Sequence, residues 1–347
     1  MSITRIFQEG FEINDWDSFA PWIAVGVRPT YFTSVKYTGN NSSKFTGTAL
    51  AMYIREDTPI AQMRAGLMFL VSGATNTPGL FVLSSGTIDN PVLMIYYNAS
   101  TNTWYAYAGA TELGNFVLDV EDSTWRHFGI DFKADASAGW CYIYIDGVAA
   151  LSYSGKTDYG DSDFDLIGIG GINATYDNWA TVYIDDFYVD NSTGEGAAAP
   201  LTLKRFYPLS LNGTGNYSQW HGDDGDQVSN YARIDVRTLL SSILFDGMIE
   251  SQTSGHRDSW TLAATAGISG ASTIPAVITW MWAQRRSVTD GVQITPFFRH
   301  SSTDDDGTPQ TPIIGTGIMW ERFTTDPSSA AWTVAVIDDL EMGIKFE

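Results

Sequence analysis

Short apolar runs separated by turn residues recur along the chain: Leu67 to Val71, Leu80 to Leu83, Val92 to Tyr97, Trp104 to Tyr107, Trp125 to Phe132, Trp140 to Ile145, Leu166 to Ile169 and Val182 to Val189. They are rich in Val, Ile, Tyr and Trp, are bounded by Gly, Asp, Asn and Pro, and are too short and too closely spaced for helices, so they predict β-strands. In Cys141-Tyr-Ile-Tyr-Ile145 the positions Cys141, Ile143 and Ile145 share one face and Tyr142 with Tyr144 the other, as a half-buried antiparallel strand requires. Asp146-Gly147 follows, a dipeptide that accepts positive φ at both positions and so predicts a tight hairpin.

The pattern breaks at Asp190-Asn-Ser-Thr-Gly-Glu-Gly-Ala-Ala-Ala-Pro200, where small flexible residues take over, and resumes beyond it. The later runs are Tyr217 to Trp220, Ser259 to Ala263, Ala276 to Gln284, Val292 to Arg299, Gly317 to Phe323 and Trp332 to Ile337. One helix is predicted, around Arg233 to Phe245, with Ser229 and Asn230 before it as capping residues. The expected architecture is all-β: two antiparallel β-sandwich (jelly-roll) domains over residues 1–190 and 201–347, joined by a linker at 191–200.

Charge narrows the partners. Against 19 Lys and Arg stand 40 Asp and Glu, a net charge of −21 over 347 residues. Such a surface repels phosphate backbones, so nucleic acid is not an expected partner. The single cysteine, Cys141, excludes an intramolecular disulfide and leaves no thiolate cluster for zinc. No 18 apolar residues are consecutive and the first ten hold no signal-peptide core, so the chain is expected to be made in a cytoplasm without a membrane span.

Candidate chemistry is sparse. Glycoside hydrolysis needs two carboxylates facing one cleft. Asp185 and Asp186 are adjacent, hence expected on opposite strand faces, and Glu9, Glu12 and Asp15 have the wrong order. Of the four histidines, His127 lies inside a predicted strand and reads as a sheet-surface residue, while His221 and His256 fall in Gly/Asp-rich loops. No Gly-x-Ser-x-Gly elbow is present, so nucleophilic catalysis has no framework.

Asp158, Asp161, Asp163 and Asp165 place four carboxylates in eight residues, the hard-oxygen set that calcium takes. Asp223 to Asp226 and Asp304 to Asp306 are similar runs. Acidic clusters of this kind are as a rule solvated hairpin ends, and no other cofactor is expected. Sugar binding would use exposed aromatics flanked by Asn and Asp. Tyr96, Tyr97, Trp104, Tyr105 and Tyr107 form an aromatic hairpin around Asn98 to Asn102, and Tyr176 with Trp179 flank Asp177-Asn178. Tyr97, Trp104, Tyr105, Tyr176 and Trp179 are taken as the glycan-contact candidates.

Phe11-Glu-Ile-Asn-Asp-Trp16, Trp125-Arg-His-Phe-Gly-Ile-Asp-Phe132, Tyr142-Ile-Tyr-Ile-Asp-Gly147, Ile167-Gly-Ile-Gly-Gly171 and Val182-Tyr-Ile-Asp-Asp-Phe-Tyr-Val189 together give the N-terminal half a resemblance to the concanavalin A-like lectin/glucanase superfamily, in its laminin-G-like branch. The C-terminal half resembles the terminal domain of tailed-bacteriophage minor structural proteins. The residues carrying this are Gly213 to Trp220, Ile274-Pro-Ala-Val-Ile-Thr279 with Ala283 to Arg286, Thr325-Asp-Pro327, Trp332-Thr333 and Leu340 to Lys345.

The pairing implies a non-catalytic structural subunit of a virion, made in the host bacterial cytoplasm, tail-associated as fibre or baseplate and able to contact host-surface polysaccharide. Capsid decoration or a head fibre is the first alternative, and a free carbohydrate-binding protein or degraded glycosidase the second. Other virion proteins are expected partners. So is the chain itself, because sandwich edge strands with few Lys invite self-association, and the analogy with elongated phage appendages makes the oligomer a trimer.

Overall fold

The computed structural model describes residues 4–9, 22–26, 30–37, 42–47, 50–72, 78–87, 89–120, 123–159, 161–170, 179–197, 209, 211–222, 227, 230–231, 249–263, 268, 274, 276–283, 292–312 and 317–347. The chain divides into two compact units, the first running to Phe206 and the second beginning at Tyr207. It is all-β, as the strand runs predict.

Among the described residues unit 1 holds fifteen strands: β1 (Thr4–Glu9), β2 (Trp22–Gly26), β3 (Thr30–Phe32), β4 (Ser42–Gly47), β5 (Leu50–Ile60), β6 (Gln62–Val71), β7 (Gly79–Ser84), β8 (Pro91–Asn98), β9 (Thr103–Ala108), β10 (Thr111–Val117), β11 (Arg126–Lys133), β12 (Gly139–Ile145), β13 (Val148–Gly155), β14 (Phe164–Gly170) and β15 (Trp179–Asn191). They form an eight-stranded sheet in the order β13-β12-β11-β6-β15-β4-β3, with β1 also on β15, and a seven-stranded sheet in the order β10-β9-β8-β7-β14-β5-β2. Every pairing is antiparallel.

Aromatic rings from both sheets meet between them. Phe69 on β6 lies 5.7 Å from Trp104 on β9 and 6.4 Å from Phe128 on β11, and Phe132 of β11 reaches Phe164 of β14 at 6.2 Å. Contacts of this kind add about 0.5–1.5 kcal/mol each beyond the area they bury. The β12–β13 hairpin turns as predicted, with Asp146 at φ +52° and Gly147 at φ +79°.

Two features depart from simple strand reading. Asp186 sits at φ +49°, and the β15–β6 register slips between Asp185 and Tyr188, so a β-bulge replaces the plain alternation expected there. Both carboxylates are buried; Asp185 accepts hydrogen bonds from the Tyr37 N–H (2.9 Å) and the Asp186 N–H (2.8 Å). The expected linker, moreover, begins as part of unit 1. Strand β15 runs to Asn191, Ser192 is buried, and the Glu195 and Gly196 carbonyls accept from Gln62 Nε2 (3.1 Å) and Arg64 Nη2 (2.6 Å). Residues 198–200 lie outside the described residues.

Unit 2 has β16 (Leu211–Ser218), β17 (His221–Gly222), β18 (Ile249–Glu250), β19 (Arg257–Leu262), β20 (Val277–Ala283), β21 (Ile294–His300), β22 (Thr303–Asp306), β23 (Gly317–Phe323), α1 (Val334–Asp338) and β24 (Leu340–Phe346). A five-stranded sheet, β16-β19-β24-β21-β22, packs against a two-stranded antiparallel sheet of β20 and β23, whose strands are separated in the chain by β21 and β22. Between the two sheets Phe298 packs edge-on against Phe323 (4.7 Å) and Trp332 (5.7 Å), and Trp220, Trp260, Met319 and Ile344 form a second cluster.

The strand expected over Trp332 to Ile337 is instead α1. Thr333 is its N-cap, its hydroxyl accepting the Val336 N–H, and one helical turn brings Ile337 into the cluster that holds Trp332. The β-branched run suggested a strand, but capping and burial outweigh propensity over so short a segment. The helix expected over Arg233 to Phe245 lies outside the described residues.

Candidate functional site

Strands β8 and β9 pair Tyr96 with Tyr105 and Tyr97 with Trp104. Directly opposed residues share a face, so the aromatic hairpin divides into two sets. Tyr97 and Trp104 point between the sheets and are fully buried; the Tyr97 hydroxyl donates to Asn102 Oδ1 at 2.7 Å, and Trp104 stacks on Phe116 at 6.1 Å. Neither can meet a glycan, which corrects the expectation for both. Their size and inward parity make them core.

The other set lies on the outer face of the seven-stranded sheet. Tyr96 stacks against Tyr105 at 5.2 Å and against Tyr107 at 5.7 Å, with interplanar angles of 21° and 22°. All three rings are half-buried. The local sequence Thr103-Trp-Tyr-Ala-Tyr-Ala108 explains the arrangement: Trp104, Ala106 and Ala108 take the inner face, which leaves Tyr105 and Tyr107 on the outer one.

Strand β10 borders this stack. A bulge between Glu112 and Gly114 sets Glu112 opposite Tyr107 and Asn115 opposite Tyr105. The Tyr107 hydroxyl donates to Glu112 Oε2 at 3.2 Å and Asn115 Nδ2 donates to Glu112 Oε1 at 2.7 Å, so one carboxylate fixes both neighbours. Both Glu112 and Asn115 are exposed. The result is an aromatic stack edged by a carboxylate and an amide, apolar surface for sugar C–H groups beside partners for sugar hydroxyls. Glu112 is the sole carboxylate on β7 to β10, whereas glycoside hydrolysis works with two.

Tyr96 and Tyr107 belong to the hairpin recognised in sequence but not to the residues singled out from it; strand parity identifies them. Glu112 and Asn115 were missed because the bulge alone brings them opposite tyrosines. Trp179 opens β15, but its side chain lies outside the described residues, as does Tyr176 altogether.

The acidic run at Asp158 to Asp165 works as a set of turn acceptors. Asp158 is 3.6 Å from Lys156 Nζ, Asp161 accepts from Asn90 Nδ2 at 2.8 Å, and Asp165 accepts the Gly86 N–H at 2.6 Å. Asp163 is half-buried. Among the described residues, no group of three or more His, Cys, Asp or Glu side chains is placed to hold a metal ion.

In unit 2, Asp304 and Asp306 are neutralised by cations: Arg257 grips Asp306 with both Nη atoms (2.7 and 2.8 Å), and Arg299 lies 2.5 Å from Asp304. The run at 223–226 lies outside the described residues.

His127 is not a surface residue. It is buried on the outer face of the eight-stranded sheet beside Met68, and burial, opposed by the Asp146 charge, holds its imidazole down at about 4. Beside it on the same face Asp131, wholly buried, is paired with Arg64 (3.2 Å) and accepts from Trp140 Nε1 (2.8 Å). Burial of Cys141 pushes its thiol far above the usual range, so it is inert. In unit 2, burial pushes the Asp258 carboxyl up to about 6, although Asn230 donates to it at 2.6 Å.

No protein-family model matches the chain, and no curated protein matches it. Among solved structures it is similar to domain 4 of AbnA, a GH43 extracellular arabinanase from Geobacillus stearothermophilus in complex with arabinotriose (14% identity, TM-score 0.41, 58% of this chain and 96% of that one). It is also similar to the carbohydrate-binding module CBM66 from Bacillus subtilis (10% identity, TM-score 0.35, 49% and 95%) and to a protein with a galectin-like fold from the same organism (11% identity, TM-score 0.38, 54% and 96%). These likenesses are of β-sandwich architecture and carry no residue across.

Proposed function

We propose that unit 1 is a non-catalytic carbohydrate-binding sandwich that holds a glycan against the outer face of β8 to β10. The observation that carries this is the Tyr105–Tyr96–Tyr107 stack bordered by Glu112 and Asn115. Tyr105 supplies the stacking surface, Asn115 and Glu112 meet sugar hydroxyls, and the lone carboxylate leaves no partner for acid–base hydrolysis. The setting we propose is a tailed-phage virion, as a tail fibre or baseplate subunit facing host-surface polysaccharide; it rests on the sequence resemblance of the C-terminal half.

Affinity electrophoresis of the full chain in gels containing bacterial surface polysaccharides tests the binding. At least one polysaccharide is expected to retard the chain, and Tyr105→Ala is expected to weaken that retardation about tenfold, the loss of ~1.4 kcal/mol. Retardation by none of the polysaccharides, or equal retardation of the variant, would overturn the reading. The virion setting has its own readout, the presence of the chain in purified particles by mass spectrometry.

A further inference from the structure

The face of β8 to β10 that carries the tyrosine stack lies in a part of the chain without cations. From Ala65 to Trp125 there is no Lys, Arg or His, against five acids: Asp89, Glu112, Asp119, Glu121 and Asp122. In the sheet order β10-β9-β8-β7-β14-β5-β2, the first strand to carry a cation is β5, with Arg55. It stands three strands from β8, about 14 Å at the usual strand spacing and beyond the ~8 Å over which exposed charges act at physiological salt. At the β9–β10 turn Tyr159 lies against Gly109 and carries Lys156 over its ring (5.2 Å), but that ammonium is 3.6 Å from Asp158 Oδ1. Among the described residues, therefore, no cation balances Glu112, the exposed carboxylate beside the stack.

That carboxylate is also oriented. The Tyr107 hydroxyl donates to one of its oxygens and Asn115 Nδ2 to the other. This uses two of its roughly four acceptor sites and leaves one on each oxygen. Two acceptors side by side match two neighbouring sugar hydroxyls acting as donors; they offer nothing to a group that only accepts.

We infer that the ligand of this face is an uncharged polysaccharide held through a vicinal diol on Glu112, and that Glu112 rejects glycans carrying carboxylate, sulfate or phosphate. The inference rests on the glycan reading of the face and narrows it to one class. An anionic sugar brought beside Glu112 meets a like charge with no cation between them, on a chain of net charge −21. An uncharged sugar meets no such repulsion and can fill both free acceptor sites.

The test is affinity electrophoresis of the full chain at low salt, in gels containing bacterial surface polysaccharides with either uncharged repeats or repeats bearing uronate or phosphate. Retardation is expected from the uncharged polysaccharides alone. Oxidising part of the primary hydroxyls of a retarding polysaccharide to carboxylates is expected to weaken retardation about tenfold or more. Methyl esterification of those carboxylates should restore it, which separates charge from shape. Glu112→Gln, at an exposed position, should narrow the difference between the neutral and oxidised forms about fivefold, the effect of one charge at ~4 Å in water. Raising the salt should narrow it in the wild type. Equal or stronger retardation by an anionic polysaccharide, or a difference that neither Glu112→Gln nor salt narrows, overturns the inference and leaves glycan binding standing. Retardation by no polysaccharide of either kind overturns the glycan reading itself, and this inference with it.

Discussion

Unit 1 buries its rings between two extended sheets, Phe69, Trp104 and Phe128 meeting from both sides, and keeps its buried charges on the outer face of one of them. Unit 2 covers a five-stranded sheet with the two-stranded sheet of β20 and β23 and also buries carboxylates. Glu341 there accepts from the Asn216 N–H (2.8 Å) and the Ser259 hydroxyl (2.7 Å), and Asp258 from the Gln219 N–H (3.1 Å) and Asn230 (2.6 Å). Both cores pack rings and bury carboxylates, but in unit 2 one carboxylate, Glu341 on β24, ties both β16 and β19 to its strand. Mutation and pH should therefore act differently on the two.

The largest expected effect is on the ring core. Trp104→Ala should cost unit 1 about 3–5 kcal/mol, the usual range for removing a buried large aromatic, and leave the unit 2 transition in place. Calorimetry of the full chain reads both, and a shift of both transitions together would break the distinction. Glu341→Ala should cost unit 2 about 1–3 kcal/mol, because the Asn216 and Ser259 donors lose their acceptor inside the protein. A unit 2 transition unmoved by that change would show that its polar groups find other partners.

Smaller shifts separate the units by pH. The folded pKa of His127 is depressed, so the unfolded chain binds the extra proton between about 4 and 6.5, and unit 1 loses stability as pH falls through that window. The folded pKa of Asp258 is raised, so the folded chain holds the extra proton between 3.8 and about 6; its contribution is full at the acid end and is lost as pH rises through about 6. From pH 7 to pH 4 these two groups therefore push the transitions in opposite directions. His127→Gln should flatten the unit 1 response and Asp258→Asn that of unit 2. Variants whose slopes match wild type would remove both assignments.

The least disruptive probe is limited proteolysis. Because Gln62 and Arg64 hold Glu195 and Gly196, the first cut between the units is expected beyond residue 197 and not within 191–196. Early cleavage at 191–196 would show that those hydrogen bonds do not retain the segment.

Much of this was legible in the chain. Each of the eight runs named before the linker lies within a strand or overlaps one by all but its first residue, because antiparallel strands announce themselves by local alternation and turn residues. Asp146-Gly147 was readable for the same reason, its turn chemistry being local. The contacts that depend on distant partners were not readable. The Arg64 hydrogen bond that ties down Gly196 spans 132 residues. The bulge that sets Glu112 and Asn115 opposite tyrosines is visible only once β9 and β10 are paired.

The site shows the same division in miniature. The hairpin at 96–107 was found, yet Tyr97 and Trp104 were taken with Tyr105 although a period of two places Trp104 and Tyr105 on opposite faces. Pairing Tyr96 with Tyr105 resolves which rings face out.

The proposed division of this hairpin is that its outer rings bind glycan while its inner rings hold the fold. It is tested most directly by measuring polysaccharide affinity and melting temperature for Tyr105→Ala and Trp104→Phe side by side. The first is expected to lose about tenfold in affinity with its melting temperature unchanged, and the second to melt earlier with its affinity retained. Retained affinity in Tyr105→Ala together with lost affinity in folded Trp104→Phe would contradict the claim.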